Sequence, residues 1–217
     1  MKVKGLQAVD AVLTTRELGQ IIKQAGIDLK KMPEKSYDEP MGYASGAGVI
    51  FGAGGGVMEA TLRTVYEKLT SEKMKEVQYE SIRGDSIKEL EVDINGEKLR
   101  FAVARGLGNA RHLIDRILKG EVEYHLVEIM ACPSGCVGGG GQPIYSDQTE
   151  WYMQVEAGNE RGKALFSADE HKEVKTAHEN PWIQKLYNEY LGKPMGDLSR
   201  ELFHSSYTKR PLYKKDK

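Results

Sequence analysis

The chain has 217 residues, room for one large domain or two small ones, and its 40% hydrophobic content is enough to bury a core at this length. With 31 basic against 32 acidic side chains, the net charge of -1 gives no electrostatic reason to expect nucleic acid or an anionic membrane as partner. No apolar run reaches the roughly 18 residues of a membrane span, the N-terminus lacks the apolar stretch of a secretory signal, and two cysteines make no disulfide framework. A reducing cytoplasm is therefore the expected compartment.

Residues 14–25, "TTRELGQIIKQA", predict a helix. Thr14 with Glu17 three positions later forms a capping box. Leu18, Ile21, Ile22 and Ala25 share one face, and Gly26 suits the C-terminal cap. The next stretch, 27–44, holds prolines and charges and predicts a loop. Residues 45–69, "SGAGVIFGAGGGVMEATLRTVYEKL", predict a glycine-rich turn feeding a helix whose Met58, Leu62, Val65 and Leu69 share a face. Too many glycines precede Met58 for regular helix or strand.

A β-hairpin follows. Leu90, Val92 and Ile94 alternate with charged residues, Asn95-Gly96 marks a type I′ turn, and Leu99, Phe101 and Val103 alternate on the return. One apolar face is expected. Residues 109–119 predict a helix with Ala110, Leu113, Ile114, Ile117 and Leu118 inward, and 124–130 a strand that runs into "ACPSGCVGGGG". Beyond it the chain turns polar, with helical patterns near 148–157, 182–191 and 197–203 and a basic end. A boundary is expected near residue 147, giving 1–147 and 148–217.

The glycines admit three readings. A tight turn that permits packing is one. A phosphate cradle is another, but neither G-x-G-x-x-G nor G-x-x-x-x-G-K-[ST] occurs. Close approach of backbone to a bulky rigid ligand, such as an inorganic cluster, is the third. The cysteines are equally open at this point. Cys132 and Cys136 are one residue too far apart for a C-x-x-C redox pair, and the five histidines offer no matching zinc half-site. Two thiolates would supply half of a four-iron cluster's ligands. The bland reading is a pair of buried, inert thiols, against which the surrounding glycine density argues. Glu59 and Glu67 read as solvated, with a site-facing Glu59 as the alternative, and His178 and His204 read as hydrogen-bonding groups.

Taken together, these stretches resemble one family. "VEIMACPSGCVGGGGQP" (127–143) resembles the third cysteine signature of the iron-only (FeFe) hydrogenases. "SGAGVIFGAGGGVMEATLRTVYE" (45–67) is similar to the glycine-rich segment preceding it in that family. "VDAVLTTREL" (9–18) and "VARGLGNAR" (103–111) match in order, and "HENPWIQKLYNEYLGKP" (178–194) with "LFHSSY" (202–207) resembles the small-subunit segment.

The resemblance implies an α/β fold, a small mixed sheet flanked by helices with a helical C-terminal wrap. Residues 1–147 would be the C-terminal lobe of the catalytic domain and 148–217 the small-subunit-like segment. It implies reversible proton reduction at an H-cluster, a 4Fe-4S cubane joined through a cysteine sulfur to a diiron subcluster. Cys132 would ligate the cubane, and Cys136 would ligate it and bridge to the diiron unit. Met130 would place its thioether beside the diiron site, Phe51 would pack over it, and the Gly52 backbone would approach its diatomic ligands. The T-S-C-C-P and M-P-C-x-x-K-x-x-E signatures that carry the other two cubane cysteines are absent. The chain begins just after the second would end. The expected partners are thus the missing N-terminal hydrogenase portion and a ferredoxin-like electron carrier. Related proteins of iron–sulfur assembly share a similar "MACPSGC" loop, which leaves two alternatives: an iron–sulfur protein of the assembly type without H2 activity, and a non-catalytic remnant that folds but holds no cluster.

Overall fold

The computed structural model describes residues 2–3, 6–7, 9–36, 41–74, 80–81, 86–144 and 151–204. In chain order the elements are β1 (Lys2–Val3), β2 (Leu6–Gln7), α1 (Thr15–Gln24), α2 (Gly46–Ile50), α3 (Gly56–Thr70), β3 (Glu80–Ser81), β4 (Ile87–Ile94), β5 (Glu97–Arg105), α4 (Leu107–Leu118), β6 (Leu126–Met130), α5 (Trp151–Glu170), α6 (Pro181–Leu186) and α7 (Asp197–Phe203). A mixed four-stranded sheet, ordered β3-β4-β5-β6, lies between helices, as the α/β expectation required.

The hairpin forms where the sequence predicts it. Asn95 and Gly96 both take positive φ, at 56° and 87°, and the Gly96 N–H donates to the Asp93 carboxylate. Leu90 stands opposite Phe101 and Val92 opposite Leu99. On this face Leu90, Phe101 and Val103 pack against Met58 and Leu62 of α3. The expectation of a single apolar face is corrected, because the other face is covered too. There Ile87, Ala102 and Ala104 pack against Ala110 and Leu113 of α4. Alanines at alternate positions look neutral in a sequence, yet their small side chains leave room for the helix. The largest fully buried side chains are Ile50, Met58, Leu62, Ile87 and Leu113, each contributing about 1.5–3 kcal/mol by leaving water.

In α4 the inward set is narrower than expected. Ala110 and Leu113 are buried, whereas Ile114 and Leu118 are exposed. After α4 the chain returns as β6, parallel to β5, with Arg105 paired to Met130. The Gly106 N–H closes the two strand ends by donating to the Met130 carbonyl at 2.7 Å. The cysteine loop therefore leaves from the carboxyl end of a parallel pair, where open α/β sheets commonly form sites.

Two helix expectations need correction. Residues 46–50, taken as too glycine-rich for helix, form α2. Ser45 caps it, and the Gly46 and Ala47 N–H groups donate to the Val174 and Lys175 carbonyls. Its buried Ala47 and Ile50 pack with Ala60, Phe166 and Ala177. Tertiary partners thus satisfy the first turn that glycine alone would leave frayed. The pattern at 148–157 marks only the start of α5, which runs to Glu170 through Gly158 and Gly162. Gly158 is a point of close contact rather than a break, because a Cβ there would lie 2.4 Å from the Ser134 Cβ.

A buried ionic clasp joins α5 to α3. Arg63 bonds Glu59 at 2.5 Å and Asp169 at 2.7 Å, and Asp169 is only 5% exposed. Burial alone would disfavour the guanidinium charge, but the bonds to Asp169 and Glu59 outweigh it and hold the Arg63 pKa above its ordinary value. Glu59 and Glu67, read as solvated, have side chains only 16% and 19% exposed. Glu67 faces His178, which also hydrogen-bonds Thr64.

Helix α1 carries its predicted capping box, with Thr14 accepting from Glu17 and the Glu17 carboxylate accepting from the Thr14 N–H. Those bonds hold the Glu17 pKa below its ordinary value, the Thr14 backbone bond being the larger cause. None of its residues is buried, and Leu18 and Ile21 stand half exposed. Among the described residues of the region predicted as loop, Leu29–Lys31 form a 3-10 turn. The basic end at 209–217 lies outside the described residues.

Candidate functional site: a thiol pair on a glycine shelf

Residues 131–141 leave β6 as a loop that lies along the α2–α3 corner. The two segments meet backbone to backbone. The Gly54 N–H donates to the Ser134 carbonyl at 3.3 Å, and the Val137 N–H donates to the Gly52 carbonyl at 3.1 Å. Gly135, between them, takes φ 84° and ψ −166°, a region essentially reserved for glycine. A Cβ there would lie 2.7 Å from the Gly54 nitrogen and 2.8 Å from the Gly52 oxygen. At Gly135 the glycine serves close packing of protein on protein.

The shelf presents two free thiols, Cys132 half-buried and Cys136 exposed. The bland reading of two buried, inert cysteines is therefore corrected: too few side chains surround the loop to cover them. A short 3-10 turn, Cys136–Gly138, follows the second thiol. Met130, half-buried, ends the strand just before the loop. Phe51 is 46% exposed at the end of α2, beside Gly52. The backbone bond from Val137 to Gly52 brings the stretch carrying Phe51 and Gly52 to the stretch carrying Cys136. Five residues predicted from sequence thus lie on two adjoining segments. Among the described residues no group of three or more His, Cys, Asp or Glu side chains is placed to hold a metal.

The phosphate reading of the glycine-rich stretch is overturned by a residue the sequence did not single out. Glu128, on β6, accepts from the Gly55 N–H at 2.8 Å and from the Met58 N–H at 2.6 Å. Its carboxylate occupies the N-terminus of α3, where a phosphate would have bound. Only its place in the strand alternation, charged where an inward side chain is expected, could have pointed to it.

Two further residues on the loop's far side were also missed. Ser134, 3% exposed, donates to the Val155 carbonyl of α5. Arg161 donates to the Val137 carbonyl at 3.0 Å and the Pro143 carbonyl at 2.7 Å. At the near end, the Arg16 N–H of α1 donates to the Gly141 carbonyl. No local pattern signals these contacts, because each joins segments far apart in sequence.

The chain is similar to known proteins over most of its length. Residues 1–140 match the family model for the iron-only hydrogenase large subunit, C-terminal domain, and residues 156–210 match that for the iron hydrogenase small subunit. The chain is 44% identical over 209 residues to the NADP-reducing hydrogenase subunit HndD of Solidesulfovibrio fructosivorans, covering 96% of this chain and 34% of that protein. It is 40% identical over 210 residues to iron hydrogenase 1 of Clostridium pasteurianum, covering 96% and 36%. A solved FeFe-hydrogenase HydA1 chain from Chlamydomonas reinhardtii superposes with a TM-score of 0.72 at 42% identity, covering 92% of this chain and 55% of that one. The cytosolic iron-sulfur assembly component 3 of Mus musculus is 30% identical over 209 residues, covering 92% and 41%. The chain thus spans about a third of the length of the two hydrogenase relatives. A match over residues 1–140, joined to free thiols on a loop of the matching sequence, leads to one conclusion: the chain belongs to the iron-only hydrogenase family.

Proposed function

We propose that this chain is the C-terminal part of an FeFe hydrogenase, interconverting protons and H2 when the remaining cluster ligands are supplied. The observation that carries the reading is the thiol pair: Cys132 and Cys136 are free, reachable and held on a loop with few side chains to cover them. The donor set fits half of a 4Fe-4S cubane, because thiolates bind iron and two more are needed. Cys132 would ligate the cubane, and Cys136 would ligate it and bridge to the diiron subcluster. When bound, the cluster would supply the redox chemistry that interconverts protons and H2, with the electrons passing to or from an external carrier.

The chain's own residues ligate, exclude water and shape the pocket. Met130 and Phe51 would present soft and aromatic surfaces that keep water from the diiron side. The Gly52 backbone would lie against the small diatomic ligands, and a Cβ at that position would meet Leu165 Cδ1 at 3.0 Å. The boundary near residue 147 falls in the interval between the two family matches and belongs to this reading. So do the partners: a hydrogenase portion carrying the other two thiolates, and a ferredoxin-like carrier for electrons. The described residues include no helix long and apolar enough to cross a membrane. The cytoplasm is the compartment proposed.

The test is anaerobic co-expression of the full chain with a hydrogenase segment bearing the T-S-C-C-P and M-P-C-x-x-K-x-x-E signatures, together with the cluster-maturation proteins. Iron and sulfide content and H2 evolution from a reduced dye are then measured. Cluster loading with H2 evolution, both lost in Cys136→Ser, supports the reading. Loading without H2 evolution favours an assembly-type iron–sulfur protein, the second reading that the mouse relative supports. No loading in any combination marks a chain that folds without a cluster.

A further inference from the structure

The thiol loop is short of its own means of support. Between Gly135 and Gly141 only Cys136 and Val137 carry side chains, so the loop cannot fix its shape by packing. Backbone bonds to Gly52, Gly54 and Arg16 hold its other side; its side-chain support comes from α5. Ser134, midway between the two cysteines, inserts its side chain against that helix and donates to the Val155 carbonyl at 3.0 Å. The fit is tight: a Cβ built on Gly158 would lie 2.4 Å from the Ser134 Cβ and 3.2 Å from the Gly138 Cα. This is why α5 carries a glycine mid-helix. One turn on, Arg161 spreads its guanidinium over two carbonyls, Val137 at 3.0 Å and Pro143 at 2.7 Å. Those carbonyls lie on either side of the four consecutive glycines 138–141.

We infer that α5 is a clamp that fixes the two thiols, with Arg161 and Ser134 as positioning residues. The inference rests on the reading of this loop as the cluster's ligand, and it adds where that ligand's geometry is set. The thiols lie in the stretch matched to the large-subunit model, whereas Arg161 lies in the stretch matched to the small-subunit model. The small-subunit-like segment would then act on the metal site through the loop. Arginine suits the role because its planar fork reaches two acceptors at once, while lysine offers a single point charge.

The test uses the full chain, reduced and anaerobic, with hydrogen exchange of residues 134–141 and the alkylation rate of Cys136 as readouts. Arg161→Ala should speed both by about tenfold or more, the loss expected of charge-assisted bonds. Arg161→Lys should recover part of the protection, and Ser134→Ala should speed exchange mainly at 134–138. Lys163→Ala, which removes only a surface pair with Glu160, should match wild type. Wild-type rates in Arg161→Ala would overturn the clamp. If that variant fails to fold, Arg161→Lys and Ser134→Ala decide, and wild-type rates in both overturn it equally.

In the iron-loaded assembled protein, the reduced-cluster electron-resonance signal should broaden in the order wild type, Arg161→Lys, Arg161→Ala. Superimposable signals would overturn the positioning role. Failure of wild type to load iron would instead count against the hydrogenase reading, leaving the exchange result to stand or fall alone.

Discussion

The sheet and the thiol shelf are built on opposite principles. The sheet holds by what fills it: Ile87, Leu113, Met58 and Leu62 leave water almost completely between β4, β5 and their two helices. The shelf holds by what is missing from it, since Gly135 touches backbone where any side chain would collide. A filled core is damaged by removing atoms and an empty contact by adding them. The difference suits the ligand role proposed for the loop. A loop made of backbone can lie close to its neighbours and still leave thiols uncovered, which a packed core would bury.

The sharpest way to break that comparison is to add one methyl group. Gly135→Ala must move a φ of 84° out of its glycine-only region and separate two backbones now in contact. Strain and overpacking together should cost about 3–5 kcal/mol. Urea denaturation should show that loss, with exchange at residues 52–54 and 134–138 rising first. The converse subtraction, Leu113→Ala, should cost about 2–5 kcal/mol through lost burial and a residual cavity. It should do so without raising exchange on the thiol loop beyond the global change. If both variants opened sheet and shelf together, the two regions would be one cooperative unit and the contrast would fall.

A third change probes the join between the regions. Glu128 sits on the sheet's edge strand but bonds the N–H groups at the start of α3. Glu128→Gln keeps the shape yet offers one acceptor in place of two and removes the charge facing the helix dipole. The expected loss is about 1–3 kcal/mol. Exchange of the Gly55 and Met58 amides should report it before any other site.

The same contrast explains how much could be read from sequence. The sheet was legible because periodicity encodes it: the alternation of Leu90, Val92 and Ile94 against Leu99, Phe101 and Val103 needs no knowledge of distant residues. Its second face escaped because Ala102 and Ala104 signal little until α4 is seen lying on them. The shelf's existence was legible through its cysteines and glycines, but its supports were not. Glu128, Ser134 and Arg161 each bond a segment remote in sequence, and a charged or polar residue in a strand, loop or helix carries no mark of such a partner. Helix α2 was missed for the same reason, since its first N–H groups are satisfied by Val174 and Lys175. Both cases show tertiary contacts overriding local propensity, and they concentrate where glycine removes local preference.

The smallest effect lies on the sheet side, far from the thiols, and sharpens the comparison by showing polar support where side chains are plentiful. Glu89, its side chain 13% exposed, receives Arg100 and Arg116 at 3.3 Å each and the Tyr124 hydroxyl. Partial burial first, then the bond to Glu89 and its negative charge, push the Tyr124 pKa from 10.0 up to about 12. Because the folded value lies above the unfolded one, this group's contribution is complete below pH 10 and is lost as the pH rises toward 12. Tyr124→Phe should therefore cost about 1 kcal/mol at neutral pH, the worth of one ordinary hydrogen bond. The gap between the two proteins should narrow across that alkaline window. Urea titrations at stepped pH would check it, and the wild-type-minus-variant tyrosinate absorbance should rise late. A constant gap through the window would show the hydroxyl to be indifferent to Glu89. The cluster would then be held by its two arginines alone.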